Sequence, residues 1–177
     1  ELNQDALIIS ITGTNGKSTT CKIIEKILKT ANYNVKTVGN IGNPILFSIG
    51  AKKKRAFIIE VSSYQLQYSK LFRSKHAAIL NISPDHLDRH KNMKKYINVK
   101  SKIFFAQKES DYSYININNK YSDILNKIIK SKKIKSKFIK VNKKNSDFLL
   151  KKIKNENFKS KGNIENLSFA YSIVKNL

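Results

Sequence analysis

The stretch ALIISITGTNGKSTT, from Ala6 to Thr20, decides how the rest of this chain is read. Leu7, Ile8, Ile9 and Ile11 form a short apolar run rich in β-branched residues, the mark of a buried strand. A turn carrying Gly13 and Gly16 comes next, and a helical pattern begins after it. Glycines in such a turn let the backbone bend tightly with its N–H groups pointing inward, as a nest for an anion. The helix that follows adds the positive end of its dipole. Strand, glycine-rich turn and helix in this order form a site for the phosphates of a nucleotide. In that site Lys17 would reach the β- and γ-phosphates, and the Ser18 hydroxyl would ligate a magnesium ion. The generic P-loop pattern places a glycine at position 11; this chain has Ile11 there, so the pattern is met only in part.

A chain of 177 residues is long enough for one well-cored domain. No apolar run approaches the ~20 residues that cross a bilayer, and no signal peptide opens the sequence. Cys21 has no partner cysteine, which excludes a disulfide framework and fits a reducing cytoplasm. The net charge of +23 would suit a nucleic-acid partner, but its make-up argues otherwise. Only Arg55, Arg73 and Arg89 are arginine; the other basic residues are lysines that arrive with many Asn and Ile, all from A/T-rich codons. They are spread along the chain, densest from Lys127 to Lys161, with no aromatic-interleaved platform, so no specific nucleic acid is expected.

Apolar runs alternate with helical patterns, the signature of an α/β fold built on a mostly parallel sheet. Strands are expected at Leu7–Ile11, Val35–Val38, Ala56–Val61, Ala77–Ile82, Tyr112–Ile117 and Phe138–Val141. Helices are expected at Lys17–Ala31, Met93–Ala106, Ser122–Ser131 and Ile164–Lys175. Pro44 and Pro84 fall just past strand ends, where loops at the carboxyl edge of such a sheet carry ligands. The lysine-rich stretch 127–161 keeps apolar residues such as Ile139, Phe148, Leu149 and Leu150 and reads as a solvated part of the fold, not as a tail.

Two further clusters follow strand candidates. In FIIEVSSYQL, Phe57–Leu66, an apolar strand ends on Glu60 and two hydroxyls. Alone, such a glutamate is most simply a surface residue; beside a P-loop it stands where magnesium needs a second protein ligand. In NISPDHLDRH, Asn81–His90, a strand empties into a loop dense with Asp, His and Arg. A histidine among acidic groups can bind a metal or an anionic substrate, and the same residues can form a plain polar turn in which Asp85 caps a helix.

TGTNGKST at Thr12–Thr19, GNIGNP at Gly39–Pro44, EVSSYQL at Glu60–Leu66 and NISPDHLDRH at Asn81–His90 resemble, in order and spacing, the Mur ligases. These are ATP-dependent amino-acid ligases of peptidoglycan synthesis, whose central domain is a P-loop NTPase-like three-layer fold. Within the family the likeness is strongest to members that add D-glutamate to UDP-N-acetylmuramoyl-L-alanine. The L-alanine-adding members have His in place of Asn15, and those adding a diamino acid have Thr in place of Ser18 and His in place of Tyr64. Folylpolyglutamate synthases share the loop but lack EVSSYQL.

The resemblance implies roles at matching positions. Gly13, Thr14, Asn15, Gly16, Lys17, Ser18 and Thr19 would hold the phosphates of ATP, with Lys17 stabilising the transferred group. Ser18 and Glu60 would hold a first Mg2+. His86 would hold a second together with a lysine carrying CO2 as a carbamate. That lysine lies four residues past a tyrosine, which Tyr96 and Lys100 match, though the interval from His86 is one residue short and Lys102 is the alternative. Asn40, Ser63 and His86 would face the muramoyl peptide. Ser160–Asn166 resembles the family's HNxxN segment, with Asn163 and Asn166 toward adenine and Gly162 where the family has His. The implied reaction makes an acyl phosphate from the substrate carboxylate and ATP, which the amine of D-glutamate then displaces.

The match spans residues 1–177 as the central domain alone, without the N-terminal UDP-binding and C-terminal domains. The expectation is therefore a cytoplasmic monomer that binds Mg-ATP weakly and does not form the amide unaided. Another ligase of the same superfamily, a P-loop ATPase acting on nucleic acid, or a non-catalytic remnant would be the other readings.

Overall fold

The computed structural model of the protein describes residues 6–40 and 55–177. Six strands, β1 (Leu7–Thr12), β2 (Asn34–Gly39), β3 (Arg55–Glu60), β4 (His76–Ile79), β5 (Tyr112–Asn116) and β6 (Lys137–Val141), form one sheet in the order β2-β3-β1-β4-β5-β6. Every pairing is parallel. A parallel neighbour can be reached only by a crossover, and the crossovers here carry helices onto both faces.

The strands obey a period of two that sorts their side chains between the faces. Ile9, Ile11, Ala56, Ile58, Ala78, Leu80 and Tyr114 point to one face. There they meet Cys21, Ile24 and Leu28 of α1 (Lys17–Thr30) and Phe169, Ala170 and Ile173 of α7 (Lys161–Val174). Phe57, Ile59, Ala77, Ile79 and Ile115 point to the other. That face is covered by Leu66 of α2 (Ser63–Tyr68), Tyr96 and Ile97 of α4 (Met93–Ser101) and Leu125 of α5 (Ser122–Ser131). Each fully buried Ile or Leu contributes about 2–3 kcal/mol, so these two clusters dominate the stability. Cys21 is part of the first cluster, and burial pushes its thiol pKa up, away from reactivity. Short helices α3 (Leu87–His90) and α6 (Asp147–Leu150) complete the set.

All six expected strands are present, and their ends differ for local reasons. β4 begins at His76 and stops at Ile79, although the Leu80 N–H still bonds Thr12 O at 3.0 Å. The helix expected to run to Ala106 ends at Ser101 and tightens into a 3₁₀ turn over Lys102–Phe104, which tucks Ile103 and Phe104 under the sheet. α2 was not foreseen. Its sequence signal is a capping box: Ser62 Oγ accepts from Gln65 N–H while the Gln65 side chain accepts from Ser62 N–H. In the lysine-rich stretch β6 and α6 form, Ile139 packs against the first cluster, and Phe148 stands edge-on to Tyr171 with centroids 5.3 Å apart. Within GNIGNP, the residues from Ile41 to Pro44 lie outside the described residues. Among the described residues no helix is long and apolar enough to cross a membrane.

The two edges of the sheet differ. At the amino edge Asp111 is fully buried and takes Arg73 Nε at 2.8 Å, Arg73 Nη2 at 3.0 Å and the Lys108 N–H at 2.7 Å. Burial by itself would raise the Asp111 pKa, but the Arg73 bonds, the Lys108 N–H and the charges of Arg73 and Lys75 together hold it below the usual range. A depressed carboxylate adds stability above its unfolded pKa and loses it as pH falls through the folded one. Asp111→Asn should therefore lower unfolding stability at pH 7 by about 1–3 kcal/mol. The gap from the parent should close as pH drops below ~4, which urea denaturation across pH 2.5–7 would measure.

Candidate active site

Every other segment of interest leaves the carboxyl edge, where ligands of open α/β sheets bind. β1 continues through Thr12, so Ile11 is a core strand residue with no exposed surface, in register with Glu60. The chain leaves the sheet one step later, at Gly13, where a Cβ would come within 3.1 Å of Leu80 Cβ. The tight turn therefore starts at Gly13 and needs no glycine at position 11, which lies inside the strand. The loop is then clamped by Asn81, which the sequence marked only as part of a polar run. Thr14 N–H bonds Asn81 O at 3.0 Å, Asn15 N–H bonds Asn81 Oδ1 at 2.8 Å, and Asn81 Nδ2 returns to Asn15 O at 3.1 Å. Thr14 Oγ1 accepts from Ser83 N–H at 3.1 Å and lies 3.3 Å from Tyr96 Oη.

Gly16 precedes α1 with φ +81°, a conformation L side chains rarely adopt. A Cβ there would also collide with the Asn166 side chain. Asn166 is 5 % exposed, so as placed it braces the loop from α7. The first helical bond, Thr20 N–H to Gly16 O at 2.9 Å, leaves the N–H groups of Lys17, Ser18 and Thr19 without a carbonyl in the helix. They form the open end of the dipole.

Lys17 Nζ donates to Thr14 O at 2.9 Å and Gly13 O at 3.1 Å, holding the loop closed on itself. Ser18 Oγ donates to Glu60 Oε2 at 2.8 Å, and Asn40 Nδ2 donates to Glu60 Oε1 at 3.2 Å. Glu60 is 2 % exposed, not the surface residue a strand-end glutamate suggests. Asn40, expected to face substrate, is thus tied to the carboxylate. Among the described residues no three His, Cys, Asp or Glu side chains converge. A hydroxyl and a carboxylate beside a phosphate-binding loop are instead a donor set that suits hard Mg2+, which completes its shell with phosphate oxygens and water.

His86 caps α3 with φ +51°; Asp85 does not cap that helix with its side chain and lies beside His86, Oδ2 to Nε2 3.3 Å. Tyr64 Oη meets His86 Nδ1 at 3.3 Å. Ser63 Oγ lies 3.0 Å from Nε2 of His90. Burial first, then electrostatic repulsion from His86, Lys100 and Arg89, lower the His90 pKa and favour the uncharged ring.

Lys100 is 2 % exposed and donates to Gly13 O at 2.9 Å, above the Tyr96 ring at 4.7 Å. Burial, reinforced by the charge of Lys17, pushes its pKa down to about 7. The alternative, Lys102, points elsewhere: its amine donates to Gln67 O at 2.6 Å behind α2. Rings link Lys100 to His86 through Tyr96, His90 and Tyr64. At the far side, Asn163 sits in the first turn of α7, capped by Ser160, while Gly162 is exposed with open space where a side chain would stand.

Fold and loop together define a P-loop-type α/β domain. Residues 11–174 match the family model for the Mur ligase middle domain, and the chain belongs to the Mur ligase family. UDP-N-acetylmuramoylalanine–D-glutamate ligase of Rickettsia bellii (strain RML369-C) is 46 % identical over 114 residues, which is 64 % of this chain and 25 % of that protein. The same-named ligase of Elusimicrobium minutum (strain Pei191) is 46 % identical over 132 residues, 71 % of this chain and 29 % of its own length. The chain thus spans about a quarter of the curated relatives it matches. Among solved structures, MurF ligase from Thermotoga maritima in complex with ADP superposes with TM-score 0.69 at 15 % identity, over 98 % of this chain and 46 % of that one. At that identity the likeness is one of fold.

The Lys100 pKa gives a prediction with a fixed sign. A lysine whose folded pKa lies below its unfolded value opposes folding fully at low pH. That opposition fades as pH rises from about 7 to its ordinary value near 10.5. Lys100→Met should therefore gain most, relative to the parent, at pH 6 and progressively less toward pH 10. Guanidinium unfolding at several pH values would show it, and a pH-independent difference would contradict it.

Proposed function

We propose that this chain is the central, ATP-binding domain of a ligase that joins D-glutamate to UDP-N-acetylmuramoyl-L-alanine in the cytoplasm, acting as a monomer. The observation that carries the reading is the buried amine of Lys100 on the same Gly13 carbonyl that Lys17 holds, beside the Ser18–Glu60 pair. Lys17 and the free N–H groups at the start of α1 supply what phosphate binding needs. A second lysine at that carbonyl, and a buried one, is superfluous for holding phosphate alone. The 46 % identity to ligases bearing that name supports the choice of substrates.

In this reading the carboxylate of the muramoyl substrate attacks the γ-phosphorus of ATP, the bond to the bridging oxygen breaks, and ADP leaves. The amine of D-glutamate then attacks the acyl carbon and expels phosphate. Lys17 and the α1 amides offset the negative charge that spreads over the transferred group, the dominant contribution in such chemistry. Ser18 and Glu60 would hold one magnesium ion and His86 with Lys100 a second; when bound, these ions draw charge from the phosphate oxygens. With its pKa near 7, Lys100 is neutral in a good fraction of molecules, and its lone pair can add to CO2 with loss of one proton to give a carbamate. That step turns a cation into an oxygen ligand suited to Mg2+. Ser63 and Asn40 would line the path of the muramoyl peptide, and Asn163 and Asn166 the adenine side.

Three measurements test this. Full-length enzyme should release phosphate only when both UDP-N-acetylmuramoyl-L-alanine and D-glutamate are present, whereas the 177-residue chain should bind Mg-ATP without such turnover. Phosphate release by the short chain that needs both substrates would refute the domain assignment. In ¹³C-bicarbonate, the chain should show a carbamate resonance that Lys100→Ala abolishes and Lys102→Ala leaves in place. Calorimetry of Glu60→Gln should show Mg-ATP affinity reduced about 10–100-fold.

A further inference from the structure

His90 enters neither the phosphate site nor the magnesium site, yet it lies where three loops meet. It ends α3, is 4 % exposed, and presents Nε2 to Ser63 Oγ at 3.0 Å. Its ring packs against Tyr64, centroids 5.9 Å apart, and against Tyr96, centroids 5.2 Å apart. Tyr64 leads to His86 through a 3.3 Å contact, and Tyr96 leads to Thr14 of the P-loop through another of 3.3 Å. One imidazole therefore ties α2, the loop after β4 and the phosphate loop to one another. Apolar packing would explain the two rings but not a ring nitrogen aimed at a buried hydroxyl.

A serine in the first turn of a helix has competing backbone partners, and its hydroxyl rotates to suit. With Nε2 opposite it, that freedom is removed. We propose that His90 is a positioning residue: it fixes the rotamer and hydrogen-bonding direction of Ser63, so that the hydroxyl presents its remaining capacity to the peptide part of the UDP-linked substrate. This rests on the reading of Ser63 as a contact to that substrate. His90 itself touches no reacting atom.

Steady-state kinetics of the full-length ligase can separate the two. His90→Phe keeps the ring between Tyr64 and Tyr96 but removes the nitrogen, while His90→Gln can bring an amide group to the place of Nε2. His90→Phe should raise KM for the UDP-linked substrate about tenfold, the worth of one hydrogen bond, with KM for ATP unchanged within about twofold. His90→Gln should recover most of the loss. Combined with Ser63→Ala, His90→Phe should add nothing, because the bond is already gone. If Ser63→Ala raises KM and His90→Phe is silent or fully additive, the substrate contact stands and the role of His90 falls. If Ser63→Ala leaves KM unchanged, the substrate contact itself falls and takes this role with it. Should His90→Phe fail to fold, the ¹⁵N shift of His90 Nε2 decides: Ser63→Ala must move it, and an unmoved signal overturns the proposal.

Discussion

Two lysine amines share one backbone carbonyl. Lys17 reaches Gly13 O at 3.1 Å from its own helix and Lys100 reaches it at 2.9 Å from α4, so the two nitrogens lie within about 6 Å of each other, a range at which like charges oppose each other's ionisation. A chain selected for stability alone would place Met or Leu at position 100, since the site is 2 % exposed and lined by Tyr96. Burial and the neighbouring charge instead leave an amine that ionises near neutrality. Groups perturbed in this way, next to a cleft and a specific charge, cluster at functional sites. The rest of the arrangement follows from what must surround that carbonyl: a glycine where no Cβ fits, a loop pinned by Asn81, and a helix whose first amides stay free.

The parallel sheet makes this convergence possible. Because every strand runs the same way, the segments after β1, β2, β3 and β4 all leave the same edge, and residues far apart in the chain meet there. Glu60 reaches Ser18 across 42 positions of sequence, and Lys100 reaches Gly13 across 87. The opposite edge holds a buried ion pair, Asp111 against Arg73. The two edges thus divide the labour: charge pairs that are fully satisfied at one, and at the other polar groups with capacity left for a ligand.

Much of this was legible in the sequence. Short apolar runs alternating with helical patterns predicted all six strands, and the glycine-rich turn with its following helix is present between Thr12 and Thr30. What could not be read was mutual support among polar side chains. Asn81 is one asparagine among many until the fold sets it against Thr14 and Asn15, and Asn40 gives no sign in the sequence of turning to Glu60. The burial of Asn166 against Gly16 follows from the approach of α7 to α1, a tertiary fact with no local signal. His90 did have a trace, a second histidine four residues past the first. α2 had a clearer one, Ser62 with Gln65 three residues on. Helix ends moved where tertiary packing demanded a tighter turn, as at Lys102–Phe104.

The fold also separates two meanings of lysine in this chain. A composition that yields a charge of +23 puts lysine almost everywhere, and most of the described lysines lie on exposed positions, those of α5, β6 and the turns after them included. Surface lysines are cheap in free energy because water solvates the ammonium while the stem covers apolar ground. Among the described residues Lys100 alone of the lysines is buried, and Lys17 alone joins it at the phosphate loop. Codon bias can fill a surface, but it cannot hold an ammonium in a place where desolvation and a second cation both oppose it. The burial of Lys100 therefore marks a selected position in a chain whose surface lysines carry little information, and it does so through physical cost alone.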